Sequence, residues 1–280
     1  MAVKKNEAPD NIEIEILELK QGQFTVGIIG TTPLIMHRFA DKARRELTLP
    51  APKMNAAAKA VNLKHRPHEE AQGCAHLISD ETAPTFFGCP SLMFKNATAA
   101  AALDIPGATK AAIGRLVYVV SEYPGEMIPI WGQPFLHASM VRMSDANRTP
   151  DVRFRVIIPK WALRLTVKYI QPNLSAKGVY NLLAASGIIA GIGDYRQGKG
   201  KGSYGSFRLC DVDDPDFKTL MEPGERARQK AAFNNLASYD DETRELLEWY
   251  DAELVRRGRD QMPPAKKVKG NGVLQTEVIQ

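Results

Sequence analysis

At 280 residues, with 44% hydrophobic and 25% charged side chains, the chain is long enough to bury a core and has a globular composition. No apolar run approaches the roughly 18 residues that span a bilayer, which speaks against a membrane helix. The polar N-terminus, Met1-Ala2-Val3-Lys4-Lys5, lacks the apolar stretch of a signal peptide, so a cytoplasmic location is expected. Cys74, Cys89 and Cys210 are odd in number and irregularly spaced, which predicts no disulfide framework. Net charge is +5, but residues 211–255 carry thirteen acidic and five basic side chains, leaving +13 on the remainder. A basic body beside an acidic segment suggests a polyanion-binding face with a region kept off it.

Residues 1–11 are polar and are read as a flexible N-terminus. Glu13–Leu19 alternates charged and apolar residues, as a half-buried strand does, Gln21-Gly22-Gln23 is a turn signal, and Phe24–Gly30 reads as a second strand of a hairpin. Thr31–Met36 leads to an expected helix over 38–47. Residues 48–85 hold Pro50, Pro52, Pro67 and Pro84, three histidines and an alanine cluster, and are read as a partly mobile insertion. Order is expected to return at Pro90–Phe94, followed by a helix over 95–104 and a short one over 108–114. Strands are predicted at Arg115–Val120, Met127–Trp131 and Leu136–Arg142.

The clearest unit follows. Val152–Pro159 and Trp161–Tyr169 are β-rich runs. In the second, Trp161, Leu163, Leu165, Val167 and Tyr169 share one face, while Arg164, Thr166 and Lys168 take the other. A helix is then predicted, capped by Asn173 or Ser175, lined by Val179, Leu182 and Leu183, and stopped at Gly187. Ser206–Cys210 closes as a strand. This order suits an α+β fold: a ferredoxin-like (RRM-like) antiparallel sheet with helices on one face and the other face free for a ligand. The core is expected over 12–210 with its insertion at 48–85. An acidic helical extension over 211–257 follows, with Leu246, Leu247, Trp249, Tyr250 and Leu254 as contacts, and then a disordered tail over 258–280.

Six of the fifteen residues in 191–205 are glycine. Glycine permits positive φ and close approach to the backbone, so Gly191, Gly193, Gly198, Gly200 and Gly202 are expected to present amide N–H groups to phosphate oxygens. Arg196, Lys199 and Lys201 add charge that contacts phosphate without reading sequence. Tyr195 and Tyr204 offer rings on which bases stack. The combination suits a single strand better than a duplex. Gly193-x-x-x-x-Gly198-Lys199 matches the start of a nucleotide P-loop, but Gly200 stands where magnesium binding requires Ser or Thr. A P-loop also follows a strand and opens a helix, the reverse of the order expected here. The bland alternative is a solubilised surface hairpin.

Helix 175–186, Gly191-Ile192-Gly193, a basic stretch, and Gly202-Ser203-Tyr204-Gly205-Ser206-Phe207 together resemble the C-terminal glycine-rich loop of the RAMP superfamily. That superfamily includes RNA-binding backbone subunits and guide-processing endoribonucleases of CRISPR systems. Thr31–Phe39 is similar to a group of phage and prophage proteins. The resemblance covers about residues 24–210. It implies a ferredoxin-like core, single-stranded DNA or RNA bound along the sheet and loops, and head-to-tail homo-oligomers or filaments in a bacterial host cell. Phage context favours single-stranded DNA in replication or recombination, with phage recombination or CRISPR proteins as further partners. The alternatives are a CRISPR-backbone mimic acting as an inhibitor, and a RAMP-type endoribonuclease using His37.

Beyond the loop, Arg153, Arg155, Arg164 and Lys168 are candidate sheet contacts, and His37, Arg38, Lys42, Arg44 and Arg45 a second basic edge. No partner residue for His37 is identifiable, so a non-catalytic protein is expected. His65, His68, Cys74, His76 and Cys89 do not match zinc-ligand spacing, and Asp145, Asp151 and Asp194 suggest no paired-carboxylate site. No cofactor or metal is therefore assigned.

Overall fold

A computed structural model describes residues 18–38, 48–49, 63–142, 148–199 and 202–258. The chain is α+β, and its strands pair antiparallel in every sheet. The largest sheet has the order β4-β8-β1-β9, built from β4 (Val117–Val120), β8 (Ala162–Gln171), β1 (Lys20–Gly30) and β9 (Phe207–Cys210). A second sheet, β2-β7-β6, joins β2 (Leu34–Ile35), β7 (Pro150–Ile158) and β6 (Phe135–Arg142). β3 (Gly88–Pro90) and β5 (Met127–Pro129) form a two-stranded ribbon.

The predicted alternation in β8 is observed. Leu163, Leu165, Val167 and Tyr169 are buried, and Arg164 is exposed. The inward row packs in one core with Phe94 of α2 (Ser91–Ala101) and with Val179, Leu182 and Leu183 of α4 (Ala176–Ile189). Between α2 and β4 lies the short α3 (Lys110–Leu116), capped by Thr109. Ser175 caps α4, its Oγ accepting from the Gly178 amide at 3.1 Å.

Two glycines were misread as punctuation. The expected hairpin at 21–23 is instead continuous strand, with Gly22 opposite Tyr169. A Cβ on Gly22 would stand 2.3 Å from the Tyr169 ring, so this glycine makes room for an aromatic side chain rather than a turn. Gly187 does not stop α4, which continues to Ile189. A Cβ there would meet the Phe207 carbonyl oxygen at 2.2 Å, so Gly187 lets α4 press onto β9. The helix expected over 95–104 starts earlier, at Ser91, directly from β3. Of the expected strand over 13–19 and helix over 38–47, residues 13–17 and 39–47 lie outside the described residues, and residues 18, 19 and 38 are in neither a strand nor a helix.

The described part of the insertion, 63–85, contains α1 (Pro67–Gly73) and is built into the fold, with Ala71, Ala75 and Ile78 buried. The acidic segment holds α5 (Pro215–Leu220), α6 (Glu225–Asn234) and α7 (Asp241–Arg256). Phe217 of α5 packs on Ile29, Ala162 and Cys210. From α6, the buried Gln229 accepts from the amides of Phe86 (2.9 Å) and Phe87 (3.0 Å) and donates to the carbonyls of Ile130 (2.9 Å) and Gly132 (3.0 Å). Ahead of α7, Asp240 caps the helix through the Thr243 amide, and Thr243 Oγ1 accepts from the Ala138 amide of β6. Leu246 and Leu247 pack on the core and Tyr250 donates to the His65 carbonyl at 2.6 Å, but Trp249, expected as a contact, is 61% exposed.

Candidate nucleic-acid interface

The second sheet carries the site. Along β7, Phe154 and Val156 turn to the core, which sends Arg153 and Arg155 to the other face. Register places Arg155 opposite His137 on β6, and Arg153 opposite Ser139. Ile35 of β2 pairs with Ile157 on the far side. The glycine loop docks here, with the Asp194 amide donating to the Ile35 carbonyl at 3.0 Å.

Arg155 anchors the loop. It is only 6% exposed, and its Nη2 lies 3.0 Å from Asp194 Oδ2. The guanidinium also sits over the Tyr195 ring, 5.7 Å from its centroid, in cation–π range. Its Nε and Nη1 are buried without a hydrogen-bond partner among the described residues. Tyr195 holds a positive φ of 51°, a conformation in which a bulky residue is strained. Beside it opens a cleft of about 520 Å³, lined among the described residues by Met140, Val141, Arg142, Pro150, Asp194, Tyr195 and Lys199.

The glycines act differently from the sequence expectation. The amides of Gly191, Ile192, Asp194, Gly198, Lys199, Tyr204 and Gly205 all donate to carbonyls within the fold, so they are not an open cradle for phosphate. Gly193 has φ 78°, and a Cβ there would stand 2.6 Å from the Ile35 carbonyl oxygen. A Cβ on Gly202 would stand 1.8 Å from the Tyr195 carbonyl oxygen, and one on Gly198 2.9 Å from that of Ala190. These residues let the loop fold tightly on itself and on β2.

The other predicted residues divide. Lys199 is exposed at the end of a 3₁₀ turn, Gln197–Lys199. Arg196 is turned inward, donating from Nη1 to the Gly193 carbonyl at 3.0 Å. The Tyr204 ring lies 6.5 Å from that of His137, which pairs with Asp240 at 3.1 Å. Arg153 is half-exposed and 3.7 Å from Asp151. His37 joins the cluster from the segment after β2. The ring is exposed, yet desolvation first, then Arg155, Arg153 and Lys199, hold its pKa below the usual 6.5 against the opposing pull of Asp194. Arg38 follows, its amide bonded to the Cys74 carbonyl at 2.8 Å. Arg164 and Lys168 lie apart, on the outer face of the first sheet, in a cleft of about 580 Å³ with Gln23, Thr25 and Thr166. Lys42, Arg44, Arg45, Gly200 and Lys201 lie outside the described residues.

Sequence reasoning missed His137 and the role of Asp194. The first becomes visible only through the β6–β7 register, and the second through its pairing with a strand residue far away in sequence. Among the described residues, no group of three or more His, Cys, Asp or Glu converges as a metal site. No described helix is long and apolar enough to cross a membrane. Cys74, Cys89 and Cys210 are free thiols.

His76, which feels the charges of Arg38 and His37, gives a test of the local electrostatics. Burial, ahead of the Arg38 guanidinium, pushes it down to about 4. Its folded-state pKa lies below the unfolded value of 6.5, so between the two the unfolded chain binds more protons. The stability tied to His76 is full above about pH 6.5 and is lost as pH falls towards 4. Urea midpoints measured across that window are expected to drop with acid, and His76→Gln to flatten the drop.

No family model matches the chain, and no curated protein is similar enough to count as a relative.

Proposed function

We propose that this chain binds single-stranded nucleic acid, largely through its phosphates, and that it does so as a non-catalytic protein. The observation that carries the reading is Arg155, a buried cation with two donors unpartnered among the described residues, packed on Tyr195 of the cleft that Lys199 and Arg142 also line. A cationic, aromatic cleft attracts a phosphate chain and lets bases stack. The scaffold reading is ferredoxin-like. It is supported by the order β4-β8-β1-β9 with helical connections from β1 to β4 and from β8 to β9, the pattern of a split βαβ sheet. On this reading the outer face of that sheet, with Arg164 and Lys168, is a second contact surface. Copies assemble head-to-tail along single-stranded DNA or RNA, in phage replication or recombination or as a mimic of a CRISPR backbone.

Neutralising Lys199 and Lys201 to alanine is expected to weaken binding to a single-stranded oligonucleotide. Each phosphate contact contributes about 0.7 to the salt slope of a single strand, so the slope of log affinity against log salt should shrink by about 1.4. Titrations at several salt concentrations check this, and an unchanged affinity and slope would remove the loop from the binding surface.

A second reading rests on His37. Burial and the charges of Arg155, Arg153 and Lys199 lower its pKa, which favours the neutral imidazole that a general base requires. If the chain cleaves RNA, His37→Ala is expected to remove the products seen on a sequencing gel while leaving binding intact. Undiminished cutting in that variant would exclude His37 as the catalyst.

A further inference from the structure

Backbone and phosphate contacts alone do not account for the shape of the cleft beside Tyr195. Arg142 and Lys199 supply donors for phosphate, but the wall also has an apolar part, made by Met140, Val141 and Pro150, that a phosphate does not use. Beside these donors stands an acceptor, the carboxylate of Asp194. Its Oδ2 is held by Arg155 at 3.0 Å, which fixes the direction of the group, and the carboxylate lines the cleft as an acceptor for a ligand. Tyr195 is held at a positive φ with the Arg155 guanidinium over its ring, so the ring is set in one orientation at the cost of backbone strain. The volume, about 520 Å³, falls within the range of small-molecule clefts. Lys199 lines the same space as a cation for an adjoining phosphate.

We infer that this cleft takes one unstacked base of a bound single strand, stacked on Tyr195, and favours bases whose exocyclic amine donates to Asp194. The inference rests on the single-strand reading above and adds base preference to it. Cytosine N4 and adenine N6 are amine donors, and a carboxylate accepts from such a group. Uracil and thymine carry a carbonyl oxygen at the equivalent position, which sets lone pairs against the carboxylate. Cytosine and uracil have the same ring size, so comparing them separates this effect from stacking.

The test is the affinity of the full chain for matched oligodeoxycytidylate and oligodeoxyuridylate at neutral pH, by fluorescence anisotropy. A hydrogen bond to a charged group is strong, so the cytosine oligonucleotide is expected to bind roughly tenfold or more tighter. Asp194→Asn should bring the ratio close to one, because an amide both accepts and donates. That variant also unpairs Arg155, so Val141→Trp, which fills the cleft from β6 and leaves the ion pair in place, provides the second arm. It should weaken both complexes and erase the preference. Equal affinities in the native chain, or a preference that survives Val141→Trp, overturn the base cleft and leave single-strand binding standing. If neither oligonucleotide binds but cytidine monophosphate does, and Val141→Trp abolishes that binding, the cleft holds and the single-strand reading falls. If none of the three ligands binds, both are overturned.

Discussion

Arg155→Leu is expected to remove tight nucleic-acid binding and to destabilise the chain by about 3–5 kcal/mol, the usual cost of breaking a buried ion pair from one side. The reason is asymmetric desolvation. Arg155 and Asp194 are 8% and 20% exposed at their side chains, so removing the cation strands a largely buried carboxylate. Because Asp194 keeps some water, the lower end of the range is the better expectation. The change also takes the cation from the Tyr195 ring and frees a loop held at a strained φ. A double-mutant cycle separates the pair from its surroundings. Arg155→Leu with Asp194→Leu should be more stable than Arg155→Leu alone, because no buried charge is then left unpaired. Urea unfolding of the four proteins gives the coupling. Additive single effects would mean that the two groups do not act as a pair.

Gly205→Ala is expected to be at least as disruptive to the loop, although it adds one methyl group. Gly205 has φ 71°, and a Cβ would stand 1.8 Å from the Ile192 carbonyl oxygen. The left-handed conformation alone costs about 1–2 kcal/mol for a residue with a side chain. The clash adds to this because its partner is backbone, with no rotamer to move. Gly205 also donates to the Pro33 carbonyl at 2.8 Å and accepts from the Ile192 amide at 2.9 Å, so displacing it loosens both ties of the loop. A loss of more than about 2 kcal/mol is expected, with binding lost in parallel. Gly107→Ala is the control. Its φ is 85°, yet nothing lies within 4 Å of the added Cβ, so strain acts there without a clash and the loss should be smaller. Equal midpoints for the two variants would contradict the packing role assigned to Gly205.

Legibility in the sequence followed burial. β8 was readable because its inward row is buried and, from Arg164 on, its outward row is not, so period two shows over 163–169. The Ser175 cap was readable because capping is a local hydrogen bond. Gly22 and Gly187 were misread because what they make room for, Tyr169 and Phe207, is distant in the chain. The cationic residues were readable one by one, but their grouping was not. Arg153 and Arg155 belong to one sheet and Arg164 and Lys168 to another, although only a short turn separates β7 from β8. Period two tells which face of a strand a residue takes, not which sheet owns the strand. The glycine loop was located correctly, but its glycines pack where they were expected to offer amides.

The pairing of β1 with β8 has a kinetic side. Thr25 and Thr166, whose hydroxyls meet at 3.0 Å, are 141 positions apart, and Gln229 reaches back 143 positions to Phe86. A topology dominated by such distant partners closes large loops before any reward is gathered, which slows folding. During synthesis β1 emerges well over a hundred residues before β8 and stays without a ladder until β8 follows, an interval in which its apolar stretch Val26–Ile29 is open to wrong partners. Expression at low temperature or with chaperones in excess should therefore improve the yield of this chain more than raising its synthesis rate.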